Sequence, residues 1–503
     1  MIGVIRDNLG PAMFGGLVIF LLIGYPAAFS LAAVGLFFGL VAIEMGVIDP
    51  SFLGALPLQL FGIISNDLLL AIPFFTFMGA ILERCGLAED LLDSIGQLFG
   101  SVRGGLSYAV IFVGAILGAI TGTVAASVIA MGVISLPVMK RYGYDMRHAT
   151  GVIAASGTIT QLIPPSLVLV VLADVMGKSV GDMYAGAIGP SMAQLGLFVI
   201  WVAILSIIRP DHVPALPVEA RVLRGWPLLW KSLRGIVPSA GLIFLVLGTI
   251  FMGIATPTEA GAMGVVGAMA LAAMYGTLTW KLTYEAMTST MRITAMVVFI
   301  LIGSRVFSLV FQGVGGGLWI ESLLSTLPGG QVGFLIFTMA FIFFIAFFLD
   351  FFEIAFIIIP LLTPAADKLG IDLIWFGLLI CANIQTSFMH PPFGFALFYL
   401  RGIAPPDVKS RDIYLGSIPW IALQVVLVGI MIAWPSMVTY WISKPVALDP
   451  AAIEQQFRNL GGDGNDGPQS LPNFGGPPPG PGGQPPKQPD PPAIDLSQPP
   501  KFN

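Results

Sequence analysis

Charge is scarce in this chain: Asp, Glu, Lys and Arg make up 10% of its 503 residues, against 56% hydrophobic ones. Soluble domains carry about 25% charged residues, so a water-facing globule is excluded, and a mean hydropathy of +0.90 places the chain in lipid. Cysteine is scarcer still. Cys85 and Cys381 are the only two, each set in membrane-type sequence, which leaves neither a disulfide framework nor a thiolate metal site. The three histidines, His148, His212 and His390, are scattered without metal-ligand spacing, and no nucleophile–base pairing is evident, which disfavours a membrane enzyme. The Gly-Lys-Ser at Gly177–Ser179 has Leu172 where a phosphate-binding loop needs its first glycine, so a primary pump is disfavoured too. The net charge of −5 is small, and four of its acids, Asp463, Asp466, Asp490 and Asp495, lie near the end of the chain; nothing points to nucleic acid.

What the chain has is long apolar runs. A hydrocarbon core about 30 Å thick needs roughly 20 apolar residues per helical crossing. Runs of this kind lie at 11–43, 68–82, 106–139, 150–175, 185–208, 236–254, 257–278, 291–311, 332–366, 373–400 and 415–441, and several are long enough that they must bend or split. The first follows Arg6 and continues past thirty residues, too long for the apolar region of a cleaved signal. The expected class is an all-α polytopic membrane protein of about 11 transmembrane helices plus two re-entrant hairpins. Residues 1–208 form the first half, with a hairpin region at about 145–175, and 236–445 the second, with a hairpin region at about 372–400. Between them, 209–235 carries Arg209, Arg221, Arg224, Lys231 and Arg234 against Asp211 and Glu219, which the positive-inside rule puts in the cytoplasm. Trp226 and Trp230, one helical turn apart within it, suit an interfacial amphipathic segment. From 446 to 503 the composition turns to Pro, Gly, Gln and Asp, which cannot bury a core, so disorder is expected.

The two halves are related by a constant offset of 227 residues: Pro137, Gly143 and Asp145 fall on Pro364, Gly370 and Asp372, and Pro164-Pro165 on Pro391-Pro392. Upstream, Gly86 falls on Gly313. Proline removes an N–H and disfavours helix in the residue before it, so each Pro-Pro should break a helix and leave carbonyls unpaired. In hydrocarbon such backbone is tolerated only inside protein or along a cavity, and matching broken helices in two repeats point to the binding site of a secondary transporter. Before the first break stand Ser156, Gly157, Thr158 and Gln161, with Ser166 after it; before the second stand Asn383, Gln385, Thr386 and Ser387. Hydroxyls and free carbonyls are hard ligands for a small cation, and exposed N–H groups at half-helix starts suit an anionic substrate. Thr121, Gly122, Thr123 and Ser127 add hydroxyls and a flexible point in the first half, where the second half has diverged to Phe348–Asp350 and Ile354. Asp350 and Glu353 interrupt an apolar run three residues apart; they either line a pathway or sit solvated between two spans. Arg305 and Arg401 are isolated charges, and His390 reads as a loop-tip polar residue.

At these residues the chain resembles the large permease subunit of tripartite ATP-independent periplasmic (TRAP) transporters. The resemblance rests on Gly118–Thr123, Leu136-Pro137, Tyr142–Asp145, Gly157–Ser166, Ala255–Gly261 and Asn383–Arg401, and covers nearly everything before the tail. The last run resembles the branch labelled for mannitol or chloroaromatic compounds, with one departure, Met389-His390, where relatives tend to have Leu-Thr. The resemblance implies an elevator transporter in the bacterial inner membrane that imports organic acids on a Na⁺ gradient, with inverted halves and no other cofactor. It also implies two partners, a small membrane subunit and a periplasmic solute-binding protein. The stretches Gly86–Gly100 and Gly316–Leu327 are candidates for arms that brace a moving domain. Proton coupling through Asp350 and Glu353 stays open, and a channel is the further alternative.

Overall fold

The computed structural model describes residues 8–221, 225–325 and 327–442, with only the backbone of Thr121 and Ser325. Arg224 of the basic segment and the 446–503 tail lie outside the described residues. Every regular element among those described is helical. Nineteen helices of nine residues or more follow one another: α1 Leu9–Ile23, α2 Ala27–Glu44, α3 Leu56–Ile64, α4 Asp67–Arg84, α5 Leu87–Leu98, α6 Gly105–Thr121, α7 Val124–Arg141, α8 Met146–Thr158, α9 Leu167–Val175 and α10 Val180–Ile208, then α11 Trp226–Phe251, α12 Pro257–Met274, α13 Trp280–Gly313, α14 Gly316–Ser325, α15 Gly330–Ile345, α16 Ile359–Lys368, α17 Leu373–Ser387, α18 Phe395–Ile403 and α19 Ser410–Ala433. Seven of them are long and apolar enough to cross a membrane alone, and the segment from Pro50 to Arg84 adds a span bent by 47°.

The long runs split where their local chemistry dictates. The run 11–43 breaks at Gly24, a left-handed cap on α1, and resumes after Pro26, while 106–139 breaks at Gly122-Thr123. The run 332–366 breaks before Asp350, which caps a short turn Phe351–Glu353 that passes through π-helical Ile354–Ile358 into α16. Shifted by 227 residues, Gly122-Thr123 lands on Leu349-Asp350, so both halves break at the same place although the residues there have diverged. The Gly-Tyr-Asp and Gly-Ile-Asp turns are likewise one device used twice. Gly143 (φ 77°) and Gly370 (φ 69°) end their helices in the left-handed region, and Asp145 and Asp372 then cap the next ones, accepting from His148 N at 3.2 Å and Trp375 N at 2.8 Å.

One sequence boundary moves. Position 235 is no break: α11 begins at Trp226, with Pro227 in its first turn, and runs unbroken to Phe251, so the second half starts inside the basic segment. Correspondence by the offset then extends over almost the whole chain, pairing α2 with α12, α5 with α14, α8 with α17, α9 with α18 and α10 with α19. The halves interlock rather than sit side by side. α2 packs along α13 and α12 along α4, and these two contacts are each other's image under the offset. Likewise α8 packs on α19 and α17 on α10. Each half therefore buries its hairpin against the long helix of the other.

Candidate functional site

The two hairpins are built alike. α8 runs through a 3₁₀ turn, Ile159–Gln161, to a cis Pro164-Pro165 bond and returns as α9; α17 runs to a cis Pro391-Pro392 bond and returns as α18. Their polar residues are sunk in the protein. Ser156, Thr158, Gln161, Ser166, Asn383, Gln385, Thr386 and Ser387 are all buried, as are Gly157, Pro164 and Pro165. Close helix approach explains the depth: a methyl on Gly118 of α6 would stand 2.9 Å from Thr160 Cα, and one on Gly157 would collide with Val128 of α7. The tips differ. The first is enclosed, whereas Pro392 and Phe393 of the second are exposed.

Two glutamines that sequence reasoning missed tie the hairpins to the opposite half. Gln194 of α10 donates from Nε2 to Gln385 Oε1 of α17 at 2.5 Å, and Gln424 of α19 donates from Nε2 to Thr158 Oγ1 of α8 at 3.0 Å. The acceptors, Thr158 and Gln385, are 227 residues apart, so the two bonds reach equivalent places in the hairpins, while the donors are displaced by one turn, Gln194 falling on Ile421 rather than on Gln424. Their signal was present: each is a lone amide within an apolar run, a residue type that lipid tolerates only with a partner. Several polar atoms in this layer stay without one: Ser156 Oγ, Thr160 Oγ1, Gln161 Oε1, Gln194 Oε1, Gln385 Nε2 and Gln424 Oε1. Buried unpartnered oxygens cost about 1–3 kcal/mol each, a cost a bound cation or substrate would relieve.

The expectation of unpaired carbonyls at the breaks needs correcting. Ser191 Oγ donates to Leu162 O at 2.9 Å and Cys381 Sγ to Gln161 O at 3.3 Å; at the second break Gly394 N donates to His390 O at 2.7 Å and Ala396 N to Phe388 O at 3.0 Å. Side chains of α10 and α17, and the return of the chain itself, take up the carbonyls that proline frees. The hydroxyls of Thr158, Thr386 and Ser387 donate to carbonyls one turn back, at 2.9, 2.6 and 2.5 Å, which uses their protons and leaves their oxygens able to accept. Asn383 Nδ2 donates to Met339 O at 2.8 Å, holding α17 on α15.

Asp350 and Glu353 are half-buried and stand where a helix starts. They form a capping box: Asp350 Oδ1 accepts from Glu353 N and Glu353 Oε2 from Asp350 N, both at 2.8 Å, so the two carboxylates close the N-terminus of the second broken helix. In the first half the break is made differently: Gly122 (φ 65°) ends α6 with its N–H on Gly118 O at 3.3 Å, and Thr123 stands at the N-cap of α7 without a side-chain capping bond, with buried Ser127 a turn on. Thr121 ends α6, and its side chain lies outside the described residues. The Ala255–Gly261 motif proves structural as well, with Thr256 and Glu259 as a second capping box on α12. His390 is no exposed loop tip: it is buried, with ring centroids 4.0 Å from Phe343 and 4.4 Å from Phe347.

At the polar ends, charge pins the hairpins. Arg147 pairs with Asp412 at 3.1 Å and Lys140 with Asp407 at 2.5 Å. The Lys140 ammonium bonded to Asp407 holds that carboxyl below its ordinary range.

The family model described as "Tripartite ATP-independent periplasmic transporter, DctM component" matches residues 14–437. Among curated proteins, the chain is 28% identical over 453 residues to the C4-dicarboxylate TRAP transporter large permease DctM of Rhodobacter capsulatus, covering 87% of this chain and 98% of that one. It is 26% identical over 426 residues to the sialic acid TRAP transporter large permease SiaM of Vibrio cholerae, covering 84% and 96%. Among solved structures, the Alcanivorax borkumensis YdaH transporter shares the fold with a TM-score of 0.58 at 17% identity, over 85% of this chain and 99% of that one. A broken, interlocked repeat and a family match over nearly the whole membrane portion agree: the chain belongs to the tripartite ATP-independent periplasmic transporter family as a DctM-type large permease, a transporter subunit and not an enzyme.

Proposed function

We propose that this permease imports a small organic acid across a bacterial inner membrane by Na⁺-coupled secondary transport. The observation that carries the reading is the pair of buried, proline-broken hairpins at one offset, each held by a glutamine of the opposite half. Hydroxyl and amide oxygens of Ser156, Thr158, Thr160 and Gln161 in the first hairpin, and of Asn383, Gln385, Thr386 and Ser387 in the second, are the hard donors a small cation takes. The positive N-terminal ends of α9 and α18 suit a carboxylate, although Val168 N already donates to Ser166 Oγ and Ala396 N to Phe388 O. That the similar proteins are named for C4-dicarboxylates and sialic acid, both carboxylates, supports this substrate class. The Asn383–Arg401 run still argues for the branch labelled for mannitol or chloroaromatic compounds.

The family is tripartite, which supports two partners, a small membrane subunit and a periplasmic binding protein that captures the substrate. In this reading the halves are inverted, and the hairpins move as an elevator braced by the amphipathic helices α5 and α14. Because Asp350 and Glu353 already close a helix end, sodium is favoured over protons as the coupling ion. The test is uptake of radiolabelled succinate, sialic acid and benzoate into proteoliposomes holding the chain with its two partner proteins. Accumulation of at least one acid under an inward Na⁺ gradient, and none under a pH gradient alone, is expected. Uptake that follows the pH gradient without Na⁺ overturns the coupling, and non-saturating uptake overturns the transporter in favour of a channel.

A further inference from the structure

A groove is lined by no residue of the two hairpins. A cavity of about 1020 Å³ opens between α5, the first turns of α11 and the end of α12. Its walls differ in chemistry. α5 contributes Glu89, Asp90 and Asp93, and α11 contributes Lys231 and Arg234. Lys231 is bonded to Asp93, and Asp90 accepts from the Tyr275 hydroxyl at 3.2 Å. Glu89 and Arg234 have no ion-pair partner among the described residues. The mouth is apolar, formed by Leu233, Val237 and Met274, all exposed, and Met274 is 71% so.

Depth comes from two tryptophans. Trp226 and Trp230, exposed one turn apart on the same end of α11, belong to a residue type that collects at the headgroup level of a bilayer. The groove thus offers a lone cation facing carboxylates at headgroup depth, with an apolar exit toward the acyl chains. A purely anionic headgroup meets three acids on one wall. A soluble phosphate gains nothing from the exposed Leu233, Val237 and Met274. A headgroup with both signs satisfies every wall: its phosphate lies on Arg234, and its primary ammonium donates to Glu89 and Asp90.

We infer that this groove binds a zwitterionic aminophospholipid, which ties the first amphipathic helix to the ends of α11 and α12. The inference is independent of substrate and coupling ion. The experiment places the full chain in phosphatidylcholine nanodiscs doped with phosphatidylethanolamine or phosphatidylglycerol and reads the unfolding midpoint together with lipid retained in native mass spectrometry. Phosphatidylethanolamine is expected to raise the midpoint and to be retained. Arg234→Gln should weaken retention about tenfold, the worth of one charge-assisted contact, and abolish the shift, whereas Arg234→Lys preserves both. Glu89→Gln with Asp90→Asn should erase the preference for ethanolamine over choline. Equal midpoints in all three lipids, an unchanged Arg234→Gln protein, or an equal shift from soluble phosphoethanolamine would each overturn the proposal.

Discussion

Replacing Gln194 with leucine tests the cross-repeat clamp at its most sensitive point. Gln194 and Gln385 are both buried, and their single shared bond is 2.5 Å long. Interhelical hydrogen bonds in membranes contribute about 0.6 kcal/mol on average and up to about 1.7. The substitution does more than remove that bond: Gln385 Nε2 is already unpartnered, so its whole amide is left orphaned, a further cost of about 1–3 kcal/mol. Leucine is close to glutamine in size and leaves little cavity, so the expected loss is the sum of the two, about 1.6–4.7 kcal/mol. Gln424→Leu is the internal control. Thr158 keeps its bond to Ala155 O at 2.9 Å, nothing is orphaned, and the cost stays near 0.6 kcal/mol. Adding Gln385→Leu to Gln194→Leu removes both partners and should recover most of the loss. Equilibrium unfolding in mixed micelles, followed by the fluorescence of the nine tryptophans, measures these four proteins and Gln385→Leu alone. A Gln194→Leu protein within about 0.5 kcal/mol of wild type, or a double variant whose losses simply add, would refute the reasoning.

Three more outcomes follow from single contacts. Asparagine caps a helix as well as aspartate, so Asp350→Asn should keep stability and leave the pH profile of transport unchanged, while Asp350→Ala costs about 1 kcal/mol; an altered profile in the Asn variant would make the carboxylate a proton carrier. Gly118→Ala drives a methyl to 2.9 Å from Thr160 Cα, where backbone must move, and should cost about 1–3 kcal/mol in the same unfolding assay. Asp407, with its carboxyl held below the ordinary range by Lys140, contributes stability that is present above the usual carboxylate range and lost as pH falls through its lowered value. Asp407→Asn should flatten that acid limb, and high salt should erase the difference, since both partners are exposed.

Much of this architecture was legible as repetition. Pro164-Pro165 and Pro391-Pro392, with Gly143-Tyr144-Asp145 and Gly370-Ile371-Asp372, announce two copies of one turn and one broken hairpin, because proline, left-handed glycine and N-capping aspartate act locally and survive divergence. What lay hidden was everything decided by a partner distant in sequence. Gln194 and Gln424 became meaningful only once α10 and α19 were seen to cross onto the opposite hairpins. Carbonyls expected to be free are taken by Ser191 and Cys381, which no spacing rule connects to them. The capping role of Asp350 and Glu353 lay hidden for a different reason: at the start of a helix a three-residue spacing makes a capping box, and the apolar sequence around them hid that a helix starts there.

Sodium coupling at the hairpins is tested most directly by a thermal-unfolding scan of the purified, detergent-solubilised chain in matched NaCl, KCl and choline chloride. An ion that binds only the folded state stabilises by about 2.7 kcal/mol at a hundredfold excess over Kd. A midpoint raised by Na⁺ alone, and lost in Thr158→Val with Thr386→Val, is the predicted result. Identical midpoints in the three salts, or a Na⁺ shift that survives both substitutions, would contradict a cation site built from the two hairpins.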